Sequence, residues 1–293
     1  MKNPILACDD STRFALVVHG GAYWGAEPGA ARRGILREVS ERAGAWLKGG
    51  APALSVVEEI VVLLEDSGHF NAGRGSIPNL AGDIEMDAAI MDGRTLDTGA
   101  IATVSRLKNP IRGARGVMKW TPHVLLSGPS AEDFMAGIGL ETVAQEYFHR
   151  AKPKPGFEEK GTVGAVALDR CGNLAAAAST GGFTGKMAGR IGDTPIPGAG
   201  LFAENGVVAV ASTGHGESFL KTVLAHEVAA RMKFARQPLA EAARRAIFET
   251  LEAVSGEGGL IAVDSSGQTV SVHNSDGMLV EVVTWETLEA NED

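Results

Sequence analysis

One junction constrains this chain more than any other stretch of its sequence. Residues 151–160 set Pro153, Pro155 and Gly156 among Lys152, Lys154, Glu158, Glu159 and Lys160, a composition that disfavours helix and sheet and reads as a linker. Directly afterwards the character inverts. Thr162 to Leu168 is apolar and β-rich, Asp169 to Asn173 has turn composition, and Leu174 to Thr180 is a second strand of small residues. Such a hairpin suits a sheet with another layer packed tightly on it. A cut at Gly161-Thr162 would therefore create a new N-terminus inside a sheet.

That possibility carries chemistry. A free N-terminal threonine holds a hydroxyl nucleophile and, in its own α-amine, the base that activates it. No encoded internal residue has both, so the chain must be cut before it. Gly161 suits self-attack, because glycine tolerates the strained backbone that such attack requires. Thr180 closes the same hairpin, and Thr213 follows an apolar stretch and precedes Gly214-His215-Gly216. Threonine favours strands in general, so the context singles these residues out rather than their type.

Other chemistries lack their residues. The run Gly181 to Lys186 has Thr180 where a phosphate-binding loop needs its first glycine, and Met187 follows the lysine. Gly216-Glu217-Ser218 lacks the second glycine of a serine nucleophile elbow. No two of the 7 histidines stand four apart, so a zinc helix is unsupported. A net charge of −9 argues against a nucleic-acid backbone binder. No apolar run approaches the roughly 18 residues of a membrane span. The N-terminus lacks a secretory apolar region, and Cys8 and Cys171 are far apart in no metal-type spacing. Together these predict a cytoplasmic protein without a disulfide framework.

The pattern along the chain sets hairpin strands among blocks of helices. Phe14 to Val18 reads as a short strand broken by a turn at Gly20-Gly21, followed by helices over 29–48 and 53–66 with Ser55 as N-cap of the second. Strands at 84–91 and 98–104 flank a turn near Asp92-Gly93. A helix near 110–120, a strand near 123–127 and helices within 130–148 complete the first half. After the small-residue hairpin come a strand at 206–211, helices near 217–233 and 238–253, and a closing hairpin of 259–264 and 268–273. This order favours stacked antiparallel sheets covered by helices over a doubly wound parallel sheet. At 293 residues, one large α/β domain accommodates it.

At this point the sequence resembles a known family. Gly161-Thr162-Val163-Gly164-Ala165-Val166-Ala167-Leu168-Asp169, then Ser179-Thr180-Gly181-Gly182, closely resembles plant-type asparaginases, also called isoaspartyl aminopeptidases. Further matches are Gly189 to Gly200, Ser212-Thr213-Gly214-His215-Gly216-Glu217, His19-Gly20-Gly21-Ala22, Phe70 to Gly75, and Glu85 to Gly93. The resemblance runs in order over nearly the whole chain. It departs at Tyr23-Trp24, at Ser76 to Asp83 and at Leu279-Val280, and the region before Gly161 is shorter than usual.

The resemblance implies a four-layer αββα sandwich of N-terminal-nucleophile hydrolases. It would be a single domain over 1–293, cut into fragments 1–161 and 162–293 that stay together, with two such pairs forming a homodimer. By the same likeness Thr162 is the nucleophile, Thr180 tunes it, and Asn71 orients its surroundings. Thr213 and Gly214 form the oxyanion hole. Arg190 and Asp193 grip the substrate's α-carboxylate and α-ammonium, beside Gly216. The loop from Leu64 to Arg74 resembles a sodium-binding loop, with main-chain carbonyls of Leu64, Glu65, Ser67, Phe70, Ala72 and Arg74 as ligands and no cofactor for the chemistry. The implied substrates are L-asparagine or an isoaspartyl dipeptide. Alternatives are an aspartylglucosaminidase-like hydrolase of glycosylated asparagine and an uncleaved amino-acid-binding homologue.

Overall fold

The structure, a computed structural model, describes residues 13–25, 29–148 and 161–289. The linker read at 151–160 lies outside them. The first strand, β1 (Ala15–Tyr23), leads to two helices, α1 (Ala30–Lys48) and α2 (Ala53–Ser67). Next come β2 (Met86–Asp92), β3 (Thr98–Val104), α3 (Pro110–Trp120), β4 (Leu125–Ser127) and α4 (Gly128–Gly137). The second half holds β5 (Val163–Leu168), β6 (Leu174–Thr180), β7 (Leu201–Glu204), β8 (Val208–Gly214), α5 (Gly216–Thr222), α6 (Leu224–Ala235) and α7 (Leu239–Arg245). Strands β9 (Gly258–Asp264), β10 (Thr269–His273) and β11 (Gly277–Thr284) and the short α8 (Trp285–Glu289) end the fold.

These strands form two sheets, a seven-stranded one in the order β11-β1-β5-β6-β2-β3-β4 and a four-stranded one in the order β10-β9-β8-β7. The small-residue hairpin lies at the centre of the larger sheet, in register from Val163 opposite Ser179 to Leu168 opposite Leu174. Its turn is tied by Asp169, whose Oδ1 accepts from the Cys171 and Asn173 amides at 2.9 Å each. Both faces of the hairpin are buried. Ala165, Ala167, Ala175 and Ala177 join a core with α1 to α4. The alternate residues Val166, Leu168, Ala176 and Ala178 join a second core with Ala209 and Ala211 of β8 and Ile261 and Val263 of β9. Strands buried on both faces read as continuous apolar runs, which is why these show no polar alternation. A third core packs the other face of the four-stranded sheet on α6 and α7, through Val210 and Leu260 against Val228 and Ala242.

Several expectations change. Gly20-Gly21 does not end the first strand; it is an irregularity in β1, with a register shift between His19 and Ala22, and pairing with β11 resumes beyond it. Such an interruption re-aims the chain without ending it. Ser55 lies inside α2, whose N-cap is Pro52. The region 130–148 holds one α-helix and a short 3-10 turn at Gln145–Phe148. The helix expected over 217–233 is split at Val223, which adopts φ 50° between α5 and α6, and α7 passes into a π-helical turn at Ala246–Leu251. Strands β7 and β11 were not anticipated. The large sheet is not wholly antiparallel either, because β3 and β4 pair in parallel. That pairing needs a crossover, and α3 supplies it. Cys171 is disulfide-bonded, against the expectation of no disulfide framework. The chain has one other cysteine, Cys8, outside the described residues.

The two sheets pack closely at the N-terminal end of β5. A β-carbon on Gly164 would stand 2.3 Å from His19 Nε2 and 3.1 Å from Ala211 Cβ, so glycine is required there for space. Gly164→Ala is expected to cost about 1–3 kcal/mol by overpacking, read as a fall in the urea midpoint with an unchanged slope. Gly34→Ala, in α1 with open space around it, should gain up to ~1 kcal/mol. Equal effects of the two substitutions would contradict this packing.

Candidate active site

The ends of β1, β5, β6 and β8 converge on Thr162, which precedes β5 and is 5% exposed. Its Oγ1 donates to Thr180 Oγ1 at 3.1 Å. Thr180 in turn accepts from the Gly182 amide at 3.0 Å, so the loop leaving β6 fixes its hydroxyl. The Thr162 amide donates to Thr213 Oγ1 at 3.2 Å, and the Ala22 amide donates to the same oxygen at 3.2 Å. With both acceptor positions filled, the Thr213 hydroxyl keeps its proton to donate elsewhere. Gly214, next along β8, has φ 147° and passes against the Glu257 carbonyl, which a β-carbon would approach to 2.4 Å.

The peptide before Thr162 is equally confined. A β-carbon on Gly21 would lie 2.7 Å from Gly161 Cα, and Gly21 has φ 106°, which side-chain-bearing residues rarely adopt. Asn71 does not bond Thr162 itself. Its Nδ2 donates to the Gly182 carbonyl at 2.6 Å, its carbonyl accepts from the Gly181 amide at 3.0 Å, and its Oδ1 accepts from the Ile77 amide at 3.1 Å. It therefore acts on the nucleophile's surroundings through the loop after Thr180.

That loop carries Phe183, Lys186, Arg190 and Asp193. Arg190 and Asp193 meet over Gly216, where a β-carbon would stand 2.6 Å from Arg190 Nη2 and from Asp193 Oδ1. Asp193 Oδ2 is buried without a hydrogen-bond partner. Burial raises its pKa to about 6, with Arg190 pulling the other way. Arg190 stacks over Phe183, its Cζ 4.7 Å from the ring centroid. Its Nε and Nη2 donate to the two carboxylate oxygens of Glu217 at 3.1 and 3.0 Å. Beneath them Asp87 accepts from the Gly192 amide at 3.1 Å. Lys186, 2% exposed, donates to the Glu85 carbonyl. Burial raises the Asp87 pKa and lowers that of Lys186, and each charge opposes the other's shift.

The structure thus brings Thr162, Thr180, Thr213, Gly214, Arg190, Asp193 and Gly216 to one place, with Asn71 behind the loop. Glu217, Phe183 and the Ala22 amide were not singled out from sequence. Glu217 did carry a signal, as a carboxylate set directly beside glycine in Gly214-His215-Gly216-Glu217.

Two buried groups lie behind the threonines. His19 is fully buried, which lowers its pKa to about 3, with the Thr162 backbone pulling the other way. Its ring nitrogens make no hydrogen bond of normal geometry, so the imidazole packs as a neutral group. Glu65, at the end of α2, accepts from Ser179 Oγ at 2.6 Å and from the Ile111 amide at 3.1 Å, while its Oε2 has no partner. Burial raises its pKa to about 8 despite those bonds.

Glu65 belongs to the loop from Leu64 to Arg74 that resembles a sodium site. Among the described residues no cluster of His, Cys, Asp or Glu could hold a metal ion, so a site here would rest on carbonyls, donors of the right hardness for sodium. Three of the six carbonyls already accept hydrogen bonds: Leu64 from Ser67 Oγ at 2.7 Å, Phe70 from the Ala72 amide at 2.9 Å, and Ala72 from the Gly75 amide at 3.1 Å. Each keeps a second lone pair, and the donor chemistry fits.

Because the Glu65 pKa is raised from 4.5 to about 8 on folding, the native state holds a proton that the unfolded chain releases between those values. Its contribution is therefore most favourable below pH 4.5 and is lost as pH rises through 8. Glu65→Gln should flatten this part of the pH dependence, so the variant gains stability relative to the parent from pH 6 to pH 9 in chemical denaturation. Parallel curves would show that Glu65 is ionised in the native protein at neutral pH.

The chain is similar to known proteins over most of its length. The family described as asparaginase matches residues 12–155 and 149–290. An isoaspartyl peptidase of Salmonella typhimurium is 41% identical, covering 91% of this chain and 94% of its own. One from Escherichia coli is 43% identical over 83% of this chain and 82% of its own. A mouse isoaspartyl peptidase/L-asparaginase is 41% identical over 94% of this chain and 89% of its own.

Proposed function

Since the chain belongs to the asparaginase family, we propose that it is a threonine amidohydrolase that cleaves the side-chain amide of L-asparagine and β-aspartyl (isoaspartyl) peptides. Thr162 is its nucleophile, exposed by self-cleavage of the Gly161–Thr162 bond. The observation that carries this reading is the convergence of Thr180 and Thr213 on Thr162 at 3.1 and 3.2 Å.

In maturation Thr162 Oγ adds to the Gly161 carbonyl carbon and the C–N bond breaks. That break leaves an ester and frees the α-amine of Thr162, which takes up the proton from Oγ; water then hydrolyses the ester, releasing the carboxylate of Gly161 and restoring the Thr162 hydroxyl. In turnover that amine takes the Oγ proton as the oxygen attacks the substrate's amide carbon. Negative charge builds on the carbonyl oxygen, where the Thr213 hydroxyl and the Gly214 amide donate. Collapse expels ammonia or the amine of the following residue, which leaves with the proton. Water then hydrolyses the aspartyl ester. Arg190 and Asp193 hold the α-carboxylate and α-ammonium, the first through a planar fork and the second by charge.

Around this chemistry the proposal sets a single αββα domain, cut into 1–161 and 162–293, with two cut pairs forming a homodimer. The core shared by the two sheets and the helix cores on their outer faces support that layering. Sodium bound by the carbonyls of the 64–74 loop would stiffen the segment that carries Asn71 and take no part in the reaction. Among the described residues no helix is long and apolar enough to cross a membrane. The cytoplasmic setting is kept as a proposal, with the Cys171 disulfide the observation that weighs against it.

The direct test is aspartate release from asparagine and from an isoaspartyl dipeptide, which should be abolished in Thr162→Ala. Activity retained in that variant would end the reading. Thr213→Val keeps the shape and removes the donor. In fully matured protein it should lower kcat on the order of 10²–10³-fold with KM nearly unchanged, because the bond strengthens only as charge develops. Thr180→Val should impair both maturation and turnover. For Asp193, lowered pH supplies the check. Inhibition by L-aspartate should weaken as pH falls through about 6, where Asp193 becomes neutral, and Asp193→Asn should remove that dependence along with most of the affinity. A pH-independent inhibition constant would take Asp193 out of the ammonium site.

A further inference from the structure

The proposed carboxylate grip already holds a carboxylate. Glu217 occupies the Nε–Nη2 edge of the Arg190 guanidinium with two hydrogen bonds, at 3.1 and 3.0 Å. The Arg190 side chain is 13% exposed, with Phe183 against its face. Its other edge, Nη1 with the second Nη2 hydrogen, is the one available to a substrate carboxylate. Asp193 stands beside Arg190 over Gly216, with an unpartnered oxygen. Asp87 and Lys186 lie nearby; burial raises the pKa of the first and lowers that of the second, and each opposes the other's shift. His215 Nε2 lies 3.6 Å from Glu217 Oε2 and is 44% exposed.

The charges at the grip therefore do not sum to an anion site. Arg190 is balanced by Glu217, and Asp193 adds a further negative charge. A ligand that brings only a carboxylate meets a net negative environment. One that brings a carboxylate and an ammonium restores balance. We propose that Glu217 is the residue that makes this site select α-amino acids over the corresponding deaminated acids, by cancelling Arg190 and holding its guanidinium with one edge free. The inference rests on the substrate reading above and extends it to a residue with no assigned role. Glu217 acts through Arg190 and through its field on the ammonium, so it is a positioning residue rather than a catalytic one.

The test compares competitive inhibition of asparagine turnover by L-aspartate and by succinate, the same dicarboxylate without the amine, at a pH well above 6 where Asp193 is ionised. Both inhibitors use the Arg190 edge, so damage to its position raises both constants by one factor and leaves their ratio unchanged. Loss of the Glu217 charge changes the ratio. In Glu217→Gln the preference for aspartate over succinate should shrink on the order of five- to tenfold, the size of one unit charge removed at several ångströms in a partly solvated site. Glu217→Asp keeps the charge and shortens the reach; both constants should rise together with the preference intact. An unchanged ratio in Glu217→Gln, or a ratio that collapses equally in Glu217→Asp, overturns the proposal while leaving the hydrolase reading standing. Absence of asparagine turnover in the unmodified protein overturns both.

Discussion

The oxygen of one side chain ties the molecule together. Thr213 Oγ1 accepts from the amides of Thr162 and Ala22, so β8 of the smaller sheet is joined at one atom to β5 and β1 of the larger. That junction needs the two sheets close together, which the alanine-rich inner faces of β6 and β8 allow and bulkier residues would prevent. It also needs Gly21 and Gly164, where side chains would strike the Gly161 backbone and the His19 ring. Small residues at the centre of this chain are thus a requirement of its chemistry, since they bring hydroxyls from different sheets within hydrogen-bond reach of one threonine.

Around the junction the protein keeps its polar groups in two regimes. Behind the threonines, Glu65 and His19 are buried deeply enough to be neutral at neutral pH, and they fill space without adding charge to the site. In front, Arg190 is paired with Glu217, and Asp87 and Lys186 oppose each other's shifts, leaving Asp193 with an unpartnered oxygen. The groups buried behind the threonines therefore add no charge of their own to the centre before the reaction begins. A developing oxyanion is the strongest new charge to appear there, which is where a preorganised hydroxyl and amide have most effect.

Much of this was legible in the sequence, for identifiable reasons. The central hairpin could be read because its strands are short apolar runs bounded by turn residues, and its position after a proline- and charge-rich stretch marked Thr162. The grouping of Thr180, Thr213, Arg190 and Asp193 came from long ordered motifs that resemble a family. Spacing alone would not have joined residues up to 51 apart. Other features depend on tertiary context. Gly20-Gly21 has turn composition, yet pairing with β11 carries the strand past it. Val223 sits at φ 50°, a conformation its side chain disfavours, so no local signal could split that helix. The Nε–Nη2 edge of Arg190 is held by Glu217, 27 residues away, and that contact exists only once the loop after β6 has folded against α5.

The central claim is that Thr162 becomes a free N-terminal nucleophile and carries the acyl group. Intact-mass spectrometry of protein quenched in acid during asparagine turnover tests it most directly. The account predicts two species, fragment 1–161 unmodified and fragment 162–293 partly carrying one aspartyl group, with tandem spectra assigning the group to Thr162. An active protein found only as the uncut chain, or an acyl group on any other residue, would contradict it.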